Sequence, residues 1–201
     1  MSDTSARRID PEGTPSPHDV MTLGGQRFVP KISPQDIAVA IDRIAGDLTL
    51  RHFRSVPILL GVLSGAAPFH ADLARRLEFP LELDYIRVSS YRGGIAPSGE
   101  MTIAAHPSTQ MAGRNVIVVD DIVDTGGTLR MLVDYVVDRG ASLVETAALL
   151  YKPGADTRGA PPDYVGFHIP DVFVVGYGLD YHGLGRNLPG VMRWEGALEQ
   201  E

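Results

Sequence analysis

The amino-acid sequence predicts an α/β fold in which a central parallel sheet is flanked by helices. Three apolar runs carry that prediction: 57–63 (PILLGVL), 116–119 (VIVV) and 143–151 (LVETAALLY). Each is short for a helix and largely apolar, as expected of strands covered on both faces. Helical segments alternate with them, and the connections are short enough for right-handed crossovers.

Taken in order, residues 1–22 are rich in Ser, Pro, Thr, Asp and Gly without periodicity and read as a flexible tail, leaving 23–201 as one domain. Ser33 followed by Pro34 is an N-cap signature, and Ile37, Ala40, Ile41, Ile44 and Ala45 recur at helical spacing, so a helix is expected to about residue 50. After strand 57–63, Ser64-Gly65-Ala66 turns the chain into a helix over 67–77. Residues 81–88 (LELDYIRV) alternate as a strand, 89–100 form a Gly/Ser/Pro loop, and 101–104 alternate again. Strand 116–119 leads through DDIVDTGGT into a helix over 129–139. Residues 143–151 and 172–175 supply two more strands.

Composition narrows the function. The chain of 201 residues carries 25 acidic and 18 basic side chains, net charge -7, no cysteine and 44% apolar residues. It can bury a core, and it holds neither a disulfide scaffold nor a thiol nucleophile. An acidic balance argues against sheathing a nucleic-acid backbone, so no nucleic-acid partner is expected. No apolar run approaches the ~18 residues of a membrane span, and the first 20 residues lack the hydrophobic segment of a secretory signal. A cytoplasmic protein without membrane association is therefore expected. The six histidines show no paired metal-ligand spacing.

The chemistry concentrates in residues 116–129, VIVVDDIVDTGGTL. Three carboxylates, Asp120, Asp121 and Asp124, follow a buried strand at its C-terminal end, where open α/β sheets bind ligands. Crowded acids call for an external partner, either sugar hydroxyls or a cation. Residues 124–128 (Asp124, Thr125, Gly126, Gly127, Thr128) then offer converging amides, a helix start and hydroxyls, an anion cradle of phosphate size. Acids for hydroxyls beside amides for phosphate describe a ribose 5-phosphate site. A plainer reading competes: acids that cap a helix and decorate a turn. A Walker-type loop is excluded, because the lysine and its spacing are missing.

These residues resemble the phosphoribosyl-diphosphate (PRPP) signature of type I phosphoribosyltransferases, and the chain from about 25 to 195 is similar to the hypoxanthine-guanine branch. The resemblance implies the type I phosphoribosyltransferase fold, with a small hood formed by about 26–31 and 165–201. It implies that Asp120 and Asp121 hold the ribose 2- and 3-hydroxyls, that residues 124–128 hold the 5-phosphate, and that Asp124 accepts a proton near purine N7. Leu63, Ser64 and Gly65 match the pyrophosphate loop, often marked by a cis peptide between its first two positions. Here Ser64 stands where many relatives have lysine. Lys152 would donate to the purine 6-oxo group, Phe173 would stack on the base, and backbone groups of Val174 and Asp180 would read its edge. The Asp180 carboxylate would help hold Mg2+ on the diphosphate, and Arg186 would clamp that diphosphate. Ser90 and Tyr91 begin the segment that is a mobile lid in the family.

The implied activity is purine salvage: hypoxanthine or guanine plus PRPP giving IMP or GMP plus pyrophosphate, by a homodimer or homotetramer. Plain alternatives stay open at single residues: Phe173 as core, Lys152 as a surface lysine, 89–100 as an ordinary hairpin loop. So do two alternatives for the whole protein: a xanthine-preferring enzyme, or a PRPP-sensing regulator that binds RNA through a cluster of Arg51, Arg54, Arg75 and Arg76.

Overall fold

The computed structural model describes residues 20–90, 101–156 and 161–196. Residues 1–19 of the expected tail, residues 91–100 of the expected loop with Tyr91, and the last five residues lie outside that range.

Two sheets organise the chain. The larger has six strands in the order β5-β4-β3-β6-β7-β8, and the smaller has four in the order β1-β2-β10-β9. In the larger, β3 (Ile58–Leu63), β4 (Glu82–Ser90), β6 (Asn115–Val123), β7 (Leu143–Tyr151) and β8 (Tyr164–His168) run parallel. The edge strand β5 (Met101–Ala105) runs antiparallel to β4, so the sheet is mixed rather than wholly parallel. Helices α1 (Pro34–His52) and α2 (Ala67–Ala74) cover one face and α3 (Gly127–Asp138) the other.

The apolar runs behave as their composition requires. Ile58, Leu59 and Leu60 on β3, Val116 to Val119 on β6 and Ala147 to Leu150 on β7 are all buried. Alternation divides them: Leu59, Ile117, Val119 and Leu149 pack under α1 and α2, while Leu60, Val118 and Ala148 pack under α3. At the start of α1, Ser33 accepts a hydrogen bond from the Asp36 amide at 3.1 Å, and Pro34 takes the first turn. All five residues that predicted the α1 stripe are buried, and Leu48 and His52 extend it. Buried His52 meets Glu145 at 2.6 Å, and buried His70 meets the Leu59 carbonyl at 2.9 Å, so these two histidines serve the core.

Several boundaries differ from the sequence reading. Met21 and Thr22, grouped there with the tail, belong to β1 (Met21–Leu23), which pairs with β2 (Gln26–Ile32). Gly24 and Gly25 both have positive φ, as a two-residue hairpin turn requires. The strand expected over 172–175 shrinks to β9 (Val174–Val175), and it joins the smaller sheet through β10 (Val191–Trp194) instead of the main one. The place it was expected to fill falls to β8. That strand escaped notice because Gly166 interrupts it and none of its five residues is fully buried. Residues 165–168, assigned above to the hood, therefore belong to the main sheet as part of β8.

Candidate active site

Strand β6 continues past its apolar run, so Asp120 and Asp121 are strand residues rather than loop residues. Asp120 is 4% exposed and Asp121 half-buried. Each carboxylate accepts the next residue's amide at 3.0 Å: Asp121 N–H to Asp120 Oδ1, and Ile122 N–H to Asp121 Oδ1. Burial, reinforced by the neighbouring Asp121 carboxylate, holds Asp120 well above the usual carboxylate range. Burial raises Asp121 as well, with nearby Arg186 pulling the other way. Carboxylate oxygens accept hydrogen bonds, so a close pair of them suits the O–H donors of a sugar.

Beyond β6 the chain drops into the 124–128 loop. Asp124 and Thr125 are exposed, Gly126 is buried at φ 75°, and α3 begins at Gly127 with no side-chain hydrogen bond capping it. The helix therefore starts two residues earlier than its apolar periodicity suggested. Gly127, Thr128 and Leu129 of its first turn line the cleft, and a helix start of this kind favours an anion. Opposite stands the turn after β3, where the Leu63–Ser64 peptide bond is cis. Together these segments, with Val62, Val88 and Leu129, line a cleft of about 340 Å³.

Close backbone approaches lock the far wall in place. The Asp121 carboxylate lies so near Gly65 that a Cβ there would stand 1.8 Å from Oδ2. A Cβ on Gly178 would stand 1.9 Å from the Gly65 carbonyl oxygen. Arg186 then donates to the Gly178 carbonyl at 2.6 Å and pairs with Asp180 Oδ1 at 2.6 Å, while Asp180 Oδ2 accepts the Gly183 amide at 2.6 Å. So Asp121, Gly65, Gly178, Arg186 and Asp180 form one continuous contact chain.

Lys152 is not a surface lysine. It is 6% exposed, and its ammonium lies 3.2 Å from Asp124 Oδ2 and 3.0 Å from Asp171 Oδ1. Phe173, by contrast, is 44% exposed, which removes its reading as ordinary core. Its ring centroid lies 6.4 Å from that of Phe28 and 5.8 Å from that of Tyr181, an aromatic group at the edge of the smaller sheet. The Trp194 amide donates to the Phe173 carbonyl at 2.9 Å, and Arg193 pairs with Val174. In that register Val174's own N–H and C=O point off the free edge of β9. Ser90 closes β4.

The structure thus brings together Leu63, Ser64, Gly65, Asp120, Asp121, residues 124–128, Lys152, Asp180 and Arg186. Sequence reasoning missed Asp171, Phe28 and Tyr181. Asp171 stands two residues before Phe173, and lysine's scarcity (Lys31 and Lys152 alone) could have prompted a search for its counter-ions. The suspected basic cluster is dissolved: Arg51 pairs with Glu145, Arg75 with Asp72, Arg76 with Asp42, and Arg54 lies over the Phe53 ring.

The described residues contain no group of three or more His, Cys, Asp or Glu able to hold a metal ion. What they offer a hard cation is carboxylate oxygen at Asp180 and the Asp120–Asp121 pair. That suits Mg2+, which takes one or two carboxylates and completes its shell with phosphate and water.

A mostly parallel sheet thus carries an acid pair at one strand end, an amide loop beside it and a small second sheet alongside. The chain belongs to the phosphoribosyl transferase family, whose domain profile matches residues 32–182. It is 41% identical over 170 residues to hypoxanthine-guanine phosphoribosyltransferase of Streptococcus pneumoniae, covering 85% of this chain and 92% of that one. The Bacillus subtilis protein of the same name is 40% identical, covering 79% and 88%. Against the bifunctional protein TilS/HprT of Listeria innocua identity is 42%, but the match spans about a quarter (24%) of that longer protein. A crystal structure of a hypoxanthine phosphoribosyltransferase from Staphylococcus aureus superposes with a TM-score of 0.77 at 34% identity, covering 82% of this chain and 89% of that one.

Proposed function

We propose that this protein is a purine salvage transferase: it joins hypoxanthine or guanine to the phosphoribosyl group of PRPP, giving IMP or GMP and pyrophosphate. The observation that carries the reading is the convergence, at adjacent strand ends, of the Asp120–Asp121 pair, the 124–128 loop and the buried Lys152 ammonium. The acids receive the ribose hydroxyls, and the loop amides with Thr125 and Thr128 receive the 5-phosphate. The 63–65 turn and Arg186 take the diphosphate. Lys152 donates to the 6-oxo oxygen while the base stacks on Phe173, its edge against backbone groups of Val174 and Asp180.

In the reaction the purine nitrogen bonds to C1 of the ribose as the bond from C1 to the diphosphate oxygen breaks. The base loses its N7 proton to Asp124, whose carboxylate also favours the positive charge developing on the sugar. Asp180 would help hold Mg2+, and an ion there would supply charge neutralisation for the diphosphate leaving group. A donor at the 6-position selects against adenine, because a donor facing a donor costs about 1–3 kcal/mol.

The paired state of Arg51, Arg75 and Arg76 disfavours an RNA-binding role, which needs cations free for phosphates. No helix among the described residues is long and apolar enough to cross a membrane. A cytoplasmic homodimer or homotetramer completes the reading. Its test is direct: purified protein, PRPP and Mg2+ are offered each purine in turn and nucleotide is measured. Formation of IMP and GMP but not AMP is expected; no nucleotide from either 6-oxopurine refutes the proposal.

A further inference from the structure

Three neighbouring strands deliver three charges to one point. Asp124 follows β6, Lys152 follows β7 and Asp171 follows β8, and these strands are consecutive in the sheet. Backbone bonds fix their ends relative to one another: the Lys152 amide donates to the Val123 carbonyl at 3.0 Å, and the Ile169 amide to the Tyr151 carbonyl at 2.9 Å. The Lys152 side chain is 7% exposed and its ammonium stands between the carboxylates, 3.2 Å from Asp124 and 3.0 Å from Asp171. Asp171 itself is 71% exposed at the mouth of this group.

An ammonium has three N–H donors and no acceptor. Two are engaged by the carboxylates, which leaves one, with its direction set by the other two. With Asp124 as sole partner, the ammonium would be free to swing about a single contact, and the carboxylate would be committed as its counter-ion.

We propose that Asp171 is a positioning residue that shares the Lys152 ammonium with Asp124, aiming the third N–H at the 6-oxo group of the base and leaving Asp124 available to accept a proton. This rests on the function proposed above and deepens it by naming a determinant of purine recognition. Asp171 is itself exposed and Lys152 keeps Asp124 as a counter-ion, so removing the Asp171 charge leaves no uncompensated buried ammonium and the role is separable from a structural one.

Two measurements test it. In steady-state assays Asp171→Asn is expected to raise the Michaelis constant for hypoxanthine and guanine about tenfold, the equivalent of one charge-assisted hydrogen bond, while that for PRPP stays within about twofold. Asp171→Glu should restore most of the loss. Because the chain has two lysines, Lys31 and Lys152, protein isotope-labelled at the lysine side-chain nitrogen yields two ammonium resonances. Asp171→Asn should displace the Lys152 resonance and leave that of Lys31 in place. An unchanged purine constant in the variant, or an unmoved Lys152 resonance, overturns the inference. Wild-type protein that turned over neither base would instead remove the enclosing function, while the resonance still judges the Asp171 contact without any substrate.

Discussion

Replacing Gly65 with alanine probes how tightly the cleft is drawn. The added methyl would stand 1.8 Å from Asp121 Oδ2 and 2.6 Å from its Cγ. Uncrowded contacts between such atoms need about 3.5 Å, so something must move. The obstructing atoms belong to the end of a side chain, not to backbone, and the cheapest relief is rotation of Asp121. That rotation gives up its bond from the Ile122 amide and its proximity to Arg186. Overpacking of this kind costs about 1–3 kcal/mol. Most of it falls on the geometry of the sugar site, so the Michaelis constant for PRPP should rise about 5- to 150-fold. The melting temperature should drop by only a few degrees, roughly 2–4 °C per kcal/mol for a chain of this size. Initial rates with PRPP varied at saturating guanine, run beside a thermal melt, separate the two effects. A Gly65→Ala protein with wild-type PRPP dependence would refute the claim that Asp121 against Gly65 shapes the sugar site.

Other substitutions address single roles. Asp124→Asn keeps the hydrogen-bonding shape but removes the proton acceptor, so turnover should fall about a hundredfold or more while the PRPP constant changes little; unchanged turnover would take Asp124 out of the mechanism. Lys152→Gln should chiefly weaken purine binding, by about tenfold or more, and an unaltered constant for both bases would count against its assignment. Asp120 makes a pH-dependent prediction. Its carboxyl is raised in the folded protein by burial and by Asp121, so the native state binds more protons than the unfolded one, and Asp120 destabilises the fold as pH rises out of the ordinary carboxylate range. The penalty levels off only above the elevated folded value and is absent well below that range, where both states are protonated. Asp120→Asn should therefore gain stability over wild type in urea melts at neutral pH, gain less near pH 4, and lose PRPP-dependent turnover. An equal gain at both pH values would contradict the ionisation argument.

Much of this protein is written locally. Ser33-Pro34 and the stripe from Ile37 to Ala45 specify α1 because capping and helical spacing act within a few residues. The runs at 58–63 and 116–119 specify interior strands because their side chains have nowhere polar to face. The same locality made the acids and the 124–128 loop legible, since strand, acids and helix start lie within fourteen consecutive residues. Where partners are distant in sequence, the local signal failed. Val174 and Val175 look like any buried strand, and only pairing with Met192 and Arg193, beyond the whole 176–190 segment, decides that they join the smaller sheet.

The sequence by itself determined the α/β class, the acid pair and the phosphate-type loop, since each depends on contiguous residues obeying one backbone period. Tertiary structure decided which charges meet. Asp171 is 19 residues from Lys152 and 47 from Asp124, and Gly65 is 56 from Asp121. Strand order alone brings such residues within contact distance, and no periodicity along the chain encodes it.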